Sequence, residues 1–244
     1  MLLINAFKII FLLGFLIFIH EGGHFLVAKL CKVKVNEFAI GFGPAILKKQ
    51  TKETKYALRL IPLGGFVNME GENEASKDEN AFNNASIPKR IAIVAAGAIV
   101  NILFGTILFT ILISIINGDF TTGLNATGEF LFSTINGLKM LFTGKVGVQD
   151  LTGPVGISQV VSQTQGILQY LYIMSVVSVS LGITNLLPIP ALDGGKIVLL
   201  LIEAIRKKPL KENLEVQIQL LGFSLLIALS LYVTYNDVLK VIHN

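Results

Sequence analysis

The sequence predicts an all-α polytopic membrane protein with about four transmembrane helices, and three observations carry that prediction. Hydrophobic residues make up 52% of the 244 and charged residues only 15%, whereas a soluble domain carries about a quarter charged residues. Mean hydropathy is +0.69. Four stretches reach the length of about 20 mostly apolar residues that a bilayer core demands.

The first stretch covers about residues 3–28. Lys8 followed by an apolar run resembles a secretory leader. The run continues, however, into His-Glu-Gly-Gly-His and Phe25-Leu26-Val27-Ala28 where a small-residue cleavage site should stand, so a retained span is expected. The second span is about 91–116, and the third about 168–187 with a broken continuation to about 205. The fourth is about 216–235. Basic residues orient them. The 29–90 loop holds eleven Lys/Arg and the loop near 206–211 four, against two in the 117–167 connection. Excess Lys/Arg marks the cytoplasmic side, which places both termini outside a cytoplasmic (inner) membrane. The polar stretch 70–86 suits a solvated, mobile cytoplasmic linker. The single cysteine, Cys31, excludes a disulfide framework and a cysteine-built metal site.

The chemistry concentrates in the first span. Residues i and i+4 share a helix face, so His20 and His24 can aim at one point with Glu21 beside them. His-Glu-x-x-His on a helix is a zinc-protease pattern for that reason: two imidazoles for the ion and a carboxylate for its water. Ionisable groups at bilayer depth are costly and face a bundle interior or a wet cavity. A buried structural network is the competing reading. Lys29 is only five positions beyond His24, so the motif sits near the cytoplasmic end of its span.

Catalytic zinc sites often add a carboxylate to two histidines. Glu203 stands three positions before Arg206, as in a helix-surface pair. Asp119 and Asp237 fall at the outer ends of their spans. Asp193 remains, in a segment broken by Pro188 and Pro190 and followed by Gly194-Gly195. Broken backbone at membrane depth survives only where it lines protein or a cavity; an ordinary Asp-Gly turn is the alternative. Arg206 lies thirteen residues beyond Asp193, so the helix after the break must tilt or leave the bilayer if Asp193 is to match the histidines in depth. Neighbouring Lys196 is expected to snorkel to the interface.

His20-Glu21-Gly22-Gly23-His24 and the later Asn185-Leu186-Leu187-Pro188-x-Pro190-x-Leu192-Asp193-Gly194-Gly195 resemble the site-2 protease family of intramembrane zinc metalloproteases, most of all its four-span, envelope-stress (regulator-of-sigma-E-type) subgroup. The stretches 41–44, 61–72, 95–104 and 151–157 are similar to that subgroup as well, so the resemblance covers nearly the whole chain. It implies a single protease domain over 1–244, with a small membrane-associated β-hairpin on the cytoplasmic side. It implies Zn2+ held by His20, His24 and Asp193, with Glu21 as catalytic base and Asn185 lining the site. Asn101 falls on a subgroup motif in which Ala98 replaces the usual proline. The subgroup carries PDZ domains between spans two and three; 117–167 is too short for one.

The resemblance further implies cleavage of transmembrane segments, with an anti-sigma factor or a residual signal peptide as fitting substrates. The 55–69 segment alternates apolar Tyr56, Leu58 and Leu60 with Lys55 and Arg59 before Gly64-Gly65, a strand pattern. A free edge there would pair with an unwound substrate, which makes Tyr56, Leu58, Gly64 and Gly65 candidate substrate contacts. A plain amphipathic hairpin on the membrane surface is the alternative. Partners are the lipid bilayer and the substrate, with no nucleic acid. A divalent-metal transporter or metal-binding membrane protein using the same His/Asp cluster is the second class of function that the residues allow.

Overall fold

A backbone in lipid must satisfy its own N–H and C=O groups, and the apolar stretches accordingly form long helices. The computed structural model describes residues 2–72, 74, 76–147, 149 and 151–243. In chain order these form α1 (Leu2–Leu30), β1 (Val35–Gln50), β2 (Lys55–Met69), a 3-10 turn (Phe82–Asn84), α2 (Ile87–Asn117) and α3 (Phe120–Phe142), then α4 (Pro154–Ser162), α5 (Ile167–Asn185), α6 (Asp193–Arg206) and α7 (Glu212–His243). Among the described residues, four helices are long and apolar enough to span: Leu3–Leu30, Ile87–Asn117, Ile167–Asn185 and Asn213–Lys240. Leu3, Phe7, Ile107, Ile115, Leu221 and Leu225 are exposed on them, as lipid-facing side chains should be. The third span is followed, as its broken continuation to about 205 led one to expect, by a break at 186–192 and a further helix. It ends at Asn185, and α6, at 14 residues, is a separate helix too short to cross.

The chain forms two compact units. One comprises Ile10–Ile102 and Leu181–Gly222. Its core joins Ala28, Val33 and Val35 to Met69, Phe82, Ile93, Val94 and Leu200. Small residues let its helices touch backbone to backbone, the usual device where lipid offers no hydrophobic drive. A Cβ on Gly23 would lie 2.7 Å from the Ala96 carbonyl oxygen of α2, and one on Gly182 of α5 would lie 2.6 Å from that of Ala98.

In the same unit, β1 and β2 pair with repeated register shifts, from Val35 opposite Met69 to Gln50 opposite Lys55. Both strands bend, so residues 37–40 have partners on two sides, 65–68 on one and 55–58 on the other. Segment 55–58 is itself also paired with 47–50. The free edge expected at Tyr56 and Leu58 is therefore occupied, and the segments with partners on one side only are 47–50 and 65–69. Glu37 joins the strands through Arg59 at 2.6 Å and Lys55 at 3.0 Å. Partial burial opposes its ionisation, yet these two bonds hold the carboxyl below the usual range.

The described residues of the 70–86 linker (70–72, 74 and 76–86) are more ordered than its composition suggests. Ser76 donates to Glu70 at 2.6 Å, Lys34 reaches Asp78 at 2.9 Å, and Phe82 is 1% exposed. One buried aromatic and a net of short polar side chains fold the segment down.

The other unit takes in residues up to Ile9, Leu103–Ser180 and Phe223 onward. The 117–167 connection contains two helices, α3 and α4. Gly118, at φ 70°, turns the chain after α2, and the Asp119 side chain caps α3 through the Thr122 N–H at 2.6 Å. α3 packs on α2 through the Thr110–Thr127 hydroxyl pair at 2.8 Å and the stacked rings of Phe109 and Phe130. Lys8 donates to Thr164 Oγ1 at 3.1 Å, and the Tyr170 hydroxyl donates to the Lys8 carbonyl at 2.8 Å. Asp237, 3% exposed, accepts the N–H groups of Gly153 and Gly156 at 2.9 and 2.8 Å. A carboxylate thus caps α4, which begins at Pro154 and has no side-chain cap of its own.

Asp237→Ala strands two buried N–H donors, each costing about 1–3 kcal/mol. The expected result is a lowered thermal midpoint in detergent with the helical content at low temperature unchanged.

Candidate metal centre

α1 is apolar nearly all round, and His20, Glu21 and His24 lie on its last third. His20 and His24 stand one turn apart, their rings crossed edge-to-face with centroids 4.8 Å apart. His24 Nδ1 lies 2.8 Å from the carbonyl oxygen of Ile93 in α2. A carbonyl only accepts, so Nδ1 carries the proton and the neutral ring presents the Nε2 lone pair inward. Such a bond on the outer nitrogen is the usual way a ligand histidine is oriented. Gly97 makes room for both rings, since a Cβ there would fall 2.9 Å from His20 Cε1 and closer still to His24 Nε2.

Asp193 arrives from the far end of the chain. It is the first residue of α6, after the Pro188–Pro190 break. The loop folds tightly enough that any Cβ on Gly194 or Gly195 would collide with the carbonyls of Leu186, Leu187 and Ile189. Ala191 takes a left-handed φ of 72°, and its N–H donates to Gln219 Oε1 of α7 at 2.6 Å. Gly222 of α7 seats Pro190 in the same way. The break is therefore a built element.

The three donors converge. His20 Nε2 is 3.2 Å from His24 Nε2 and 3.2 Å from Asp193 Oδ2, and His24 Nε2 is 3.6 Å from the same oxygen. A tetrahedral zinc with ligands at about 2.0–2.1 Å holds them about 3.3–3.4 Å apart, so the residues present fit the ion. Asp193 Oδ2 is buried without a hydrogen-bond partner, the state of an oxygen shaped for a metal. Among the described residues this is the group of His, Cys, Asp and Glu side chains close enough to share an ion.

A cavity of about 310 Å³ opens on the cluster, lined by His20, Glu21, His24, Asn185, Asp193 and Lys196, with Phe66, Val67 and Met69 from β2. Glu21 accepts a hydrogen bond from the Val67 N–H. A Cβ on Gly65 would lie 3.1 Å from Glu21 Cγ, so that glycine lets the strand run against the helix.

Of the residues singled out from sequence, His20, Glu21, His24, Asn185 and Asp193 meet at one cavity, and Gly65 borders it. Gly64 lies against the Phe42 ring instead, at φ 107°. Tyr56 meets the Phe25 ring edge-to-face and the Phe38 ring at a tilt, with centroids 5.9 and 6.3 Å away. With Leu58 it lines a separate apolar groove of about 300 Å³. Asn101 is fully buried in α2 and does not line the catalytic cavity. Lys196 does not snorkel; it pairs with Glu72 at 2.6 Å. Glu203 pairs with Arg90 at 2.7 Å and not with Arg206. Sequence reasoning missed Gly97 and the Ile93 carbonyl; the small-residue run Ala95-Ala96-Gly97-Ala98 was the available signal.

A two-histidine, one-aspartate centre opening from an apolar helix is the mark of a membrane-embedded zinc metallopeptidase. Comparison with known proteins agrees: a model of peptidase family M50, the site-2 proteases, matches residues 8–229. The chain belongs to this family and is a zinc metallopeptidase and multi-pass membrane protein. A relative from Clostridium acetobutylicum carrying a zinc metalloprotease name is 31% identical over an alignment covering 92% of this chain and 94% of its own. The zinc metalloprotease RasP of Bacillus licheniformis is 24% identical, over 96% and 98%. Both alignments, at 320 and 411 residues, are longer than this chain, so these relatives hold residues that it lacks. The metal-transporter alternative is not favoured.

Gly97→Val would thrust a side chain between the two imidazoles. The expected outcome is a protein that purifies with helical content intact and its zinc, measured by atomic absorption, largely lost.

Proposed function

We propose that the chain cuts transmembrane segments of membrane proteins inside the bilayer, with Zn2+ held by His20, His24 and Asp193 and with Glu21 as the general base. The observation that carries this reading is the spacing of 3.2, 3.2 and 3.6 Å among three donor atoms, two from one helical turn and one from a distant part of the sequence. When bound, zinc supplies Lewis acidity toward a water molecule and a peptide carbonyl. Glu21 takes a proton from the attacking water and passes it to the leaving amine. Its bond to the Val67 N–H steadies the carboxylate on the cavity side of α1. Asn185, at the end of α5, offers an amide to orient the substrate backbone.

An intact helix keeps its carbonyls in i→i−4 bonds and measures about 10–12 Å across, too wide for this cavity. The substrate must unwind locally. The 65–69 edge lies beside Glu21 and can take an extended chain by strand addition where the Val67 N–H exchanges Glu21 for the substrate, which moves the substrate contacts from Tyr56 and Leu58 to Gly65, Phe66 and Val67. Residues 1–244 act as a single protease domain of a cytoplasmic membrane. Both termini lie outside and the site opens toward the cytoplasm, where the two basic loops lie. A membrane-anchored anti-sigma factor or a residual signal peptide fits the requirement for an apolar, unwindable segment.

The test is reconstitution with a single-span substrate. Wild type should cleave it, chelator should stop cleavage, and added zinc should restore it. Glu21→Gln should keep its zinc and lose about 10²–10⁴-fold in rate. Cleavage by Glu21→Gln at the wild-type rate would overturn the assignment.

A further inference from the structure

Phe82 is buried to 1% exposure between two cations. The Arg90 guanidinium carbon lies 5.2 Å from the ring centroid and Lys196 Nζ 5.0 Å. Both distances are within the reach of a cation–π contact. Each cation also holds a carboxylate: Arg90 reaches Glu203 at 2.7 Å and Lys196 reaches Glu72 at 2.6 Å. All four charged side chains are only 13–21% exposed, so solvent screens these links less than it screens surface pairs.

The chain positions give the arrangement its meaning. Lys196 and Glu203 both belong to α6, three and ten residues after Asp193. Seven residues are about two turns, so the two project from one face. Glu72 follows the end of β2, whose Phe66, Val67 and Met69 line the cavity. Arg90 lies in the first turns of α2, one turn before Ile93, whose carbonyl orients His24. Phe82 itself is pinned by its N–H, which donates to the Glu70 carbonyl at 2.7 Å. One ring of the linker thereby ties α6 to α2 and to the sheet, at two points along α6.

We propose that this clasp sets the rotation and axial position of α6 and so places the Asp193 carboxylate, making Lys196, Glu72 and Phe82 positioning residues of the metal centre. The inference rests on Asp193 as a zinc ligand. Lys196 also lines the cavity, so direct contact with substrate is the competing role. The two roles part experimentally: a positioning residue changes the affinity for zinc, and a substrate contact changes KM alone.

The experiment measures zinc dissociation constants of the full-length protein in detergent by competition with a fluorescent chelator, together with KM for a single-span test substrate. Lys196→Met and Glu72→Gln should each weaken zinc binding about 10–100-fold, the usual effect of losing an outer support. Lys196→Arg, which keeps the charge and the aromatic contact, should stay near wild type. Phe82→Leu should weaken zinc binding as well; if it fails to fold, the Lys196 and Glu72 variants decide. Wild-type zinc affinity in both of those, with Asp193→Ala much weakened, overturns the clasp and leaves the site intact. Wild-type affinity in Asp193→Ala takes down both. A raised KM with unchanged zinc affinity in Lys196→Met assigns the lysine to substrate and also overturns the proposal.

Discussion

Two imidazoles on an apolar helix and a carboxylate from a distant one have to find one another's company or a shared partner, because lipid offers none. This constraint governs the molecule. A carboxylate or imidazole left alone at that depth is costly, and convergence of His20, His24 and Asp193 within 3.6 Å resolves the problem for all of them only if a cation completes the group. Much of the surrounding packing reads as the means to that end. Gly23 and Gly97 bring α1 against α2, the Ile93 carbonyl turns His24, and α7 braces the loop that delivers Asp193.

The same logic explains why an irregular segment is tolerated. Residues 186–192 interrupt regular structure at a level where free backbone groups are normally forbidden. Here the Ala191 N–H goes to Gln219, and the Leu192 and Lys196 N–H groups go to the carbonyls of Ile189 and Leu192. A glutamine inside an apolar helix reads as an anomaly until its partner is found. Asp237 belongs to the same class: an acid in a greasy helix that closes the start of another helix. Apolar helices with a few committed polar side chains thus provide both the tolerance of lipid and the internal accuracy.

Much of this was legible in the sequence, for identifiable reasons. Spans are legible because hydropathy is a sum over many residues and survives local error. The His20–Glu21–His24 cluster is legible because helix periodicity fixes which positions share a face. Asp193 is legible because a proline-broken apolar segment makes an isolated acid conspicuous. What was not legible depends on long-range pairing. Lys196, read alone, suggests snorkelling; the presence of Glu72 across the fold is information no local window holds. Tyr56 and Leu58 alternate as strand residues do, yet alternation does not say which neighbours flank a strand, and the bend in β1 covers them on both sides. Similarly, the polarity of 70–86 concealed the one aromatic that anchors it.

The position of β2 against α1 carries a consequence of its own. Glu21 holds a backbone group of Val67, and neighbouring groups on that side of an extended segment recur every second residue, about 6.6 Å apart. A polypeptide aligned there would advance past the carboxylate in strides of two residues. On the proposed function, choice of the scissile bond would then follow from counting along the chain more than from the identity of any side chain.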